Sequence, residues 1–234
     1  MEKITIDRLN AINKQFYETT AQEFYQTRGR AWNGWLKLRP YLTAPVSVLD
    51  VGCGNGRFAL YLAEELDGQV TYHGMDNNGA LLQYAAQSFE GIANLRATLD
   101  ERDIVQAPPD AGQYDLVVLF GVIHHIPSWD NRQQFMATLA ERVKEGGLLC
   151  FAAWRFYEYE RFTKRLVNWD EDMAVEGNDY LLDWRRGERA LRYCHYVDDA
   201  EHDALVKATN MQELTRYRAD GSDDRMNMYS VLKK

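Results

Sequence analysis

Between residues 46 and 153 the chain repeats one pattern: a short apolar run, then a stretch long enough for a helix. The runs are Val46–Val51, Val70–Met75, Leu95–Leu99, Asp115–Phe120 and Leu148–Ala153. Runs this short, rich in β-branched and aliphatic residues, read as buried strands. The intervening helices are Phe58–Leu66, Leu81–Ser88 and Arg132–Val143, the last expected to stop at Gly146-Gly147. Strands alternating with helices build a parallel sheet covered on both faces, with the hand of each crossover set. After a helix at Asp199–Ala208, two more strands are expected near 213–218 and 226–232. The turn between them, Ala219-Asp220-Gly221-Ser222, is too short for a parallel crossover and suits an antiparallel hairpin. The expected fold is therefore α/β: a doubly wound, mostly parallel seven-stranded sheet with an antiparallel last strand.

The flanks add two elaborations. Ile6, Leu9, Ile12 and Phe16 recur at helical spacing and predict a helix over 6–26, with a second from Trp32 to Leu38 before Pro40. Residues 1–43 then form a helical flap ahead of the sheet domain at 44–234. Residues 155–190, rich in Arg, Asp, Glu, Trp and Tyr, interrupt the rhythm and read as an insertion over the carboxyl edge of the sheet. At 234 residues, one domain with such additions is expected.

Composition narrows the class. Cys53, Cys150 and Cys194 are far apart and form no CxxC pair, so reduced thiols are expected and neither a metal site nor a disulfide framework. No apolar run reaches membrane-spanning length, and the first residues lack a signal peptide's apolar stretch, so the reading is a cytoplasmic protein with no membrane partner. Net charge is −8, yet residues 1–43 carry seven Lys or Arg against four acids. Any nucleic-acid-binding face would therefore be local.

The turn after the first strand, Asp50-Val51-Gly52-Cys53-Gly54-Asn55-Gly56, lies where doubly wound sheets bind ligands. Its glycines allow a tight turn and close backbone approach. Their spacing departs from the G-x-G-x-x-G of a dinucleotide site, because Arg57 occupies the third glycine's place. A carboxylate at Asp50 repels a pyrophosphate and favours a ligand with a cationic end. Asp76, at the end of the second strand, is placed to bind ribose hydroxyls, or alternatively to cap the next helix.

Val48-Leu49-Asp50-Val51-Gly52-Cys53-Gly54-Asn55-Gly56 resembles the first signature of the class I S-adenosylmethionine-dependent methyltransferases, and the likeness runs from about residue 44 to the C-terminus. The resemblance implies the Rossmann-like class I fold, S-adenosylmethionine as cofactor and S-adenosylhomocysteine as product. It implies that Asp50, Gly52, Cys53, Gly54 and Gly56 face the methionine part, and that Asp76 with Asn77 holds the ribose. Asp103 would accept from the adenine amino group and the Ile104 N–H donate to a ring nitrogen. Phe120-Gly121, opening the segment that ends His124-His125-Ile126, would line the methyl-donor side. The paired histidines more often belong to structure than to a metal site.

Two segments resemble a narrower family, the tRNA wobble-uridine carboxyl methyltransferases. One is Phe16–Arg28 followed by Trp32; the other is Arg192-Tyr193-Cys194-His195, with Cys194 where that family has a second Tyr. This likeness implies methyl transfer to a modified uridine carboxylate in tRNA. A carboxylate is ionised at neutral pH and needs cations to hold it, not a base, and no catalytic nucleophile or base constellation appears at motif spacing. Arg28 is expected to anchor a carboxylate, that of the cofactor or of the acceptor. Tyr17, Trp32, His125, Arg155 and His195 are the candidate acceptor-binding residues. A small-molecule methyltransferase, an NAD-dependent oxidoreductase and a cofactor-binding protein without activity remain as alternatives.

Overall fold

A computed structural model describes residues 1–27, 30–184 and 189–234 of the chain. Helix α1 (Lys3–Thr27) and the short α2 (Asn33–Leu36) precede the sheet domain. The alternating part runs β1 (Val46–Val51), α3 (Arg57–Glu65), β2 (Val70–Asp76), α4 (Gly79–Phe89), β3 (Leu95–Glu101), β4 (Tyr114–Phe120), α5 (Trp129–Glu141) and β5 (Val143–Trp154). Then come α6 (Glu160–Thr163), β6 (Leu166–Val167), β7 (Asp179–Trp184), β8 (Ala190–His195), α7 (Asp199–Ala208), β9 (Gln212–Ala219) and β10 (Asn227–Lys233).

The main sheet has seven strands in the order β3-β2-β1-β4-β5-β10-β9, and β10 runs antiparallel to both neighbours. The strand order reverses between β1 and β4, which leaves a crevice at their carboxyl ends. Val48, Leu49, Val117, Val118, Leu119 and Phe151 are fully buried, so the central strands are apolar on both faces. Burial of each such side chain contributes about 1.5–3 kcal/mol.

Two expectations need correction. The helix expected to reach Val143 and stop at Gly146-Gly147 ends at Glu141, and residues 143–154 are strand throughout. Val143 pairs with Tyr114, and the register then shifts so that Leu148 pairs with Leu116. Gly146, at φ +75°, absorbs that bulge. The backbone of Lys234 bonds both glycines, its oxygen accepting from Gly146 N–H at 3.2 Å and its N–H donating to the Gly147 oxygen at 3.1 Å. The glycines are a bulge inside a strand, not a helix stop. The second expected helix, Trp32–Leu38, is only one turn, followed by a 3-10 turn at Arg39–Tyr41. Tertiary contacts hold this strap: Gly34 N–H donates to Asp220 at 2.9 Å and the Tyr217 hydroxyl donates to the Gly34 oxygen at 2.7 Å.

The insertion folds as a small antiparallel sheet, β6-β7-β8, and β8 carries it past the expected limit to His195. Helix α1 packs against β8. Asn13 accepts from the Tyr193 N–H at 3.0 Å, and Asn78 donates to the Tyr17 carbonyl at 2.8 Å. The N-terminal helix and the insertion thereby wall the carboxyl edge of the sheet. No helix among the described residues is long and apolar enough to cross a membrane.

Candidate active site

A cavity of about 660 Å³ opens at the carboxyl ends of the central strands. One wall is the glycine-rich turn. Gly52, Gly54 and Gly56 have φ of 76°, 55° and 75°, the left-handed region that favours glycine. At Gly52 an added Cβ would lie 2.3 Å from the Val122 side chain, so the turn also needs the missing atom. Asp50 is buried behind it and accepts from the Tyr72 hydroxyl at 2.6 Å. Burial pushes its carboxyl up to about 7, against the lowering effect of that bond. Asp76 accepts from the Gly54 N–H at 2.8 Å and the Asn78 N–H at 3.0 Å. Burial raises its pKa to about 6 despite these donors. Asn78, accepting from Leu81 N–H at 3.0 Å, is the cap of α4, so Asp76 is free of that duty. Asn77 and the buried Cys53 line the same stretch.

Further along lie Asp103 and Ile104. Asp103 accepts from the Asn10 amide of α1 at 2.7 Å and from the Val105 N–H at 3.0 Å. Ile104 is buried beside it. Phe120 ends β4 at the cavity, and Gly121, the next residue, passes under the Trp32 ring, which lies 3.0 Å from where a Cβ would stand. Trp32 stacks on Trp35 at 5.3 Å, with the Arg57 guanidinium over both rings at 5.5 and 5.6 Å. Burial lowers the Arg57 pKa to about 10, so it stays cationic. Sequence reasoning used Arg57 only as a missing glycine; its place on the cavity wall follows from the helix start it occupies. The cation expected to hold a carboxylate, Arg28, lies outside the described residues.

The opposite wall comes from α1, the turn after β4 and the insertion. Tyr17, His124, His125, Trp154, Phe162 and Arg192 line it, with Arg161 and Arg165 alongside. His125 is fully engaged: its Nδ1–H donates to the Tyr193 carbonyl at 2.9 Å, and its Nε2 accepts from the Tyr17 hydroxyl at 2.9 Å. Burial lowers its pKa to about 3, which keeps it neutral. His124, 3% exposed, has a buried Nδ1 with no hydrogen-bond partner. Arg192 is buried between the rings of Phe16, at 5.1 Å, and Trp154, at 4.6 Å. Among the described residues no carboxylate pairs with it. Sequence reasoning passed over Arg192 in favour of His195, although the alternation of strand side chains puts the two on opposite faces of β8.

Two expected acceptor residues do not reach the cavity. Arg155 is buried and spent on the fold: it bonds Glu158 at 2.9 Å, the Val197 carbonyl at 2.6 Å, and Asp199. His195 lies in a buried ion cluster, with Nδ1 2.7 Å from Asp179 and Nε2 2.6 Å from Glu201. Arg132, fully buried, completes the cluster with Glu201 at 2.6 Å and Glu176 at 2.8 Å. Burial lowers the His195 pKa, but the bonds to Asp179 and Glu201 outweigh it, and the net shift is upward. Both residues are removed from the cavity because buried charges must first be paired within the fold.

Among the described residues, two groups each bring three metal-ligating side chains together: His124, His125 and Cys194, and Glu176, Asp179 and His195. A guanidinium stands at each. Arg192 repels positive charge from both histidines, and Arg132 is bonded to Glu176 at 2.8 Å and lies 3.0 Å from the His195 ring. A cation at either place would be opposed by that charge.

Residues 48–147 match the family described as a methyltransferase domain. A protein of Encephalitozoon cuniculi, named only as a methyltransferase, is 29% identical over 77% of this chain and 78% of its own length. The ubiquinone biosynthesis O-methyltransferase of Rickettsia bellii is 30% identical over 71% of this chain, which spans 62% of that relative. The probable tRNA methyltransferase 9B of Mus musculus is 28% identical over 73% of this chain, which spans 33% of that relative. The fold matches an S-adenosylmethionine-dependent methyltransferase from Clostridium acetobutylicum at TM-score 0.64, with 15% identity, 94% of this chain and 96% of that one covered. It matches the S-adenosylmethionine-bound amino pentose methyltransferase CalS10 of Micromonospora echinaspora at 0.63, with 17% identity over 91% and 96% of the two chains. Residues 48–147 therefore carry a methyltransferase domain, and the fold is the one seen in class I S-adenosylmethionine-dependent methyltransferases.

Proposed function

We propose that this enzyme methylates the carboxylate of an anionic acceptor, with a carboxymethylated uridine of tRNA as the leading candidate. The observation that carries the reading is Arg192, a buried guanidinium on the cavity wall with no carboxylate partner among the described residues. Arg192 is hydrogen-bonded to Tyr17 and Cys194 but has no counter-charge among the described residues, and a buried cation without one is costly, a cost that an anionic ligand offsets. The cavity histidines also fit chemistry without a base. His125 is held neutral at a pKa of about 3, and burial moves His124 well below its ordinary value. A carboxylate acceptor arrives ionised. Its oxygen forms the new bond to the methyl carbon as the bond from that carbon to sulfur breaks, and no proton has to move.

The cofactor supplies a methyl group on a positively charged sulfur. The residues present fit it: the left-handed glycine turn leaves room for close approach, and the Asp76 carboxylate faces the same cavity. In this reading Gly52, Cys53, Gly54 and Gly56 face the methionine portion with Asp50 behind them. Asp76 and Asn77 take the ribose, Asp103 and Ile104 the adenine, and Phe120 with Gly121 the methyl-donor side. Arg57 supplies a described cation for the role expected of Arg28. Residues 1–43 act as the cover, since Asn10, Asn13, Tyr17 and Trp32 line the cavity. Arg192, Tyr17 and Trp32 face the acceptor.

The tRNA form rests on the likeness to the wobble-uridine family and on the relative named for tRNA methylation. A small-molecule acceptor is favoured by the relative named for ubiquinone biosynthesis and by the net charge of −8. Mild alkali separates the cases, because it hydrolyses methyl esters. Bulk tRNA so treated, and a small-metabolite extract, are each incubated with enzyme and methyl-labelled S-adenosylmethionine. The expected result is label in tRNA that alkali removes. Alkali-stable label confined to metabolites would overturn the carboxylate reading.

A further inference from the structure

We infer that His124, and not its neighbour His125, hydrogen-bonds the methyl acceptor and makes the site select acids that carry a second polar atom. This rests on the anionic-acceptor reading and deepens it. The two histidines follow each other in the turn after β4 and their rings lie 4.1 Å apart, yet their situations differ. Both nitrogens of His125 are used inside the protein, on the Tyr193 carbonyl and the Tyr17 hydroxyl. That ring ties α1 to the turn and has nothing left to offer a ligand. His124 is as deeply buried, lines the same cavity, and leaves Nδ1 without a partner. An unpaired buried polar atom costs about 1–3 kcal/mol. A protein that places one on the wall of a ligand cavity recovers that cost when the ligand bonds to it.

The surroundings indicate what kind of ligand. The charged side chain acting on His124 from its own wall is Arg192, beside which sits His125. The Trp154 ring, 5.5 Å from His124 and 4.6 Å from the Arg192 guanidinium, spans the two. With Arg161 and Arg165 alongside, the buried part of this wall thus presents the Arg192 cation and one neutral ring nitrogen on an aromatic backing. It fits a flat molecule whose carboxylate meets Arg192 and whose ring oxygen or nitrogen meets His124. A plain carboxylate satisfies only the first contact. Burial keeps the imidazole uncharged, so it discriminates by hydrogen bonding rather than by charge.

The test compares two acids, uridine-5-acetic acid and phenylacetate, by calorimetry on the full chain saturated with S-adenosylhomocysteine. The first has ring polar atoms beside its carboxymethyl group and the second has none. Wild type should bind the uridine acid about tenfold more tightly, the value of one hydrogen bond. His124→Leu should abolish that preference while leaving S-adenosylhomocysteine affinity unchanged. His124→Asn, which restores a polar atom near the Nδ1 position, should regain most of it and guards against misfolding of the leucine variant. If wild type shows no preference, or His124→Leu keeps it, the assignment of His124 is wrong. Arg192→Gln should weaken both acids alike. If it changes neither, or if wild type binds neither acid, the anionic-acceptor reading fails instead.

Discussion

The two faces of β8 carry the same kind of residue to opposite ends. On one face, through His195, the strand joins a buried cluster in which Arg132 meets Glu176 and Glu201. On the other, Arg192 is also buried but meets aromatic rings and the cavity. One guanidinium is neutralised by the protein and holds α5, α7 and the insertion together. The other has no carboxylate partner among the described residues and, in the proposed reading, meets the acceptor. A buried charge paired internally serves the fold, whereas one left unpaired at a cavity serves a ligand.

The largest expected effect tests that contrast directly. Arg132→Met should cost about 3–5 kcal/mol of stability, because it takes the guanidinium from the buried Glu201 and His195 cluster. Arg192→Met should cost much less, since Arg192 has no carboxylate partner among the described residues, only Tyr17, Cys194 and two aromatic rings. Denaturant unfolding of both variants decides, and equal destabilisation would erase the distinction. In turnover the order reverses. Arg192→Met should lose about 2–5 kcal/mol of acceptor binding, at least about thirtyfold in kcat/KM.

A smaller effect is expected on the cofactor side. Asp76→Ala removes a charge-assisted acceptor worth about 1.5–3 kcal/mol and should weaken S-adenosylhomocysteine binding about ten- to a hundredfold. Calorimetry that finds unchanged affinity would move the ribose contact to another residue.

The smallest effects are in pH dependence. The folded pKa of His195 is raised, so its stabilisation is complete below its unfolded value near 6.5 and is lost as pH rises through the folded value. His195→Gln should flatten that decline in a series of thermal midpoints. Asp50 acts in the same direction on the free protein: its folded pKa is about 7, and stability drains as pH rises from the unfolded value to that point. Cofactor affinity should move the other way. An ionised Asp50 favours a cationic ligand, so affinity should rise by up to about tenfold between pH 6 and 8. A flat profile would place the cationic part of the ligand away from Asp50.

The central sheet was readable because its causes are local. A run such as Asp115–Phe120 must be buried whatever surrounds it, and the glycines at 52, 54 and 56 name a turn through their own backbone freedom. Where a local signal could serve two ends, reading failed: Gly146-Gly147 looks the same as a helix stop or a strand bulge until Tyr114 and Lys234 supply pairing partners. The proposed cofactor half of the cavity draws on the same local signals, since its residues sit at strand ends at short intervals along the chain.

The proposed acceptor half does not. His125, Tyr17 and Tyr193 come from three distant segments, and only their meeting uses up one histidine and leaves its neighbour with a free nitrogen. Likewise Arg155 and His195 carry the residue types of a binding site, but Asp199, Glu158, Asp179 and Glu201 reach them first. Sequence by itself determined the strands of the main sheet and the glycine turn, because backbone freedom and burial act over a few residues, and the methyltransferase reading came from the likeness of the signature at 48–56. Which charges were left unpaired at the cavity was decided by tertiary structure alone, because pairing depends on side chains brought together from across the whole chain.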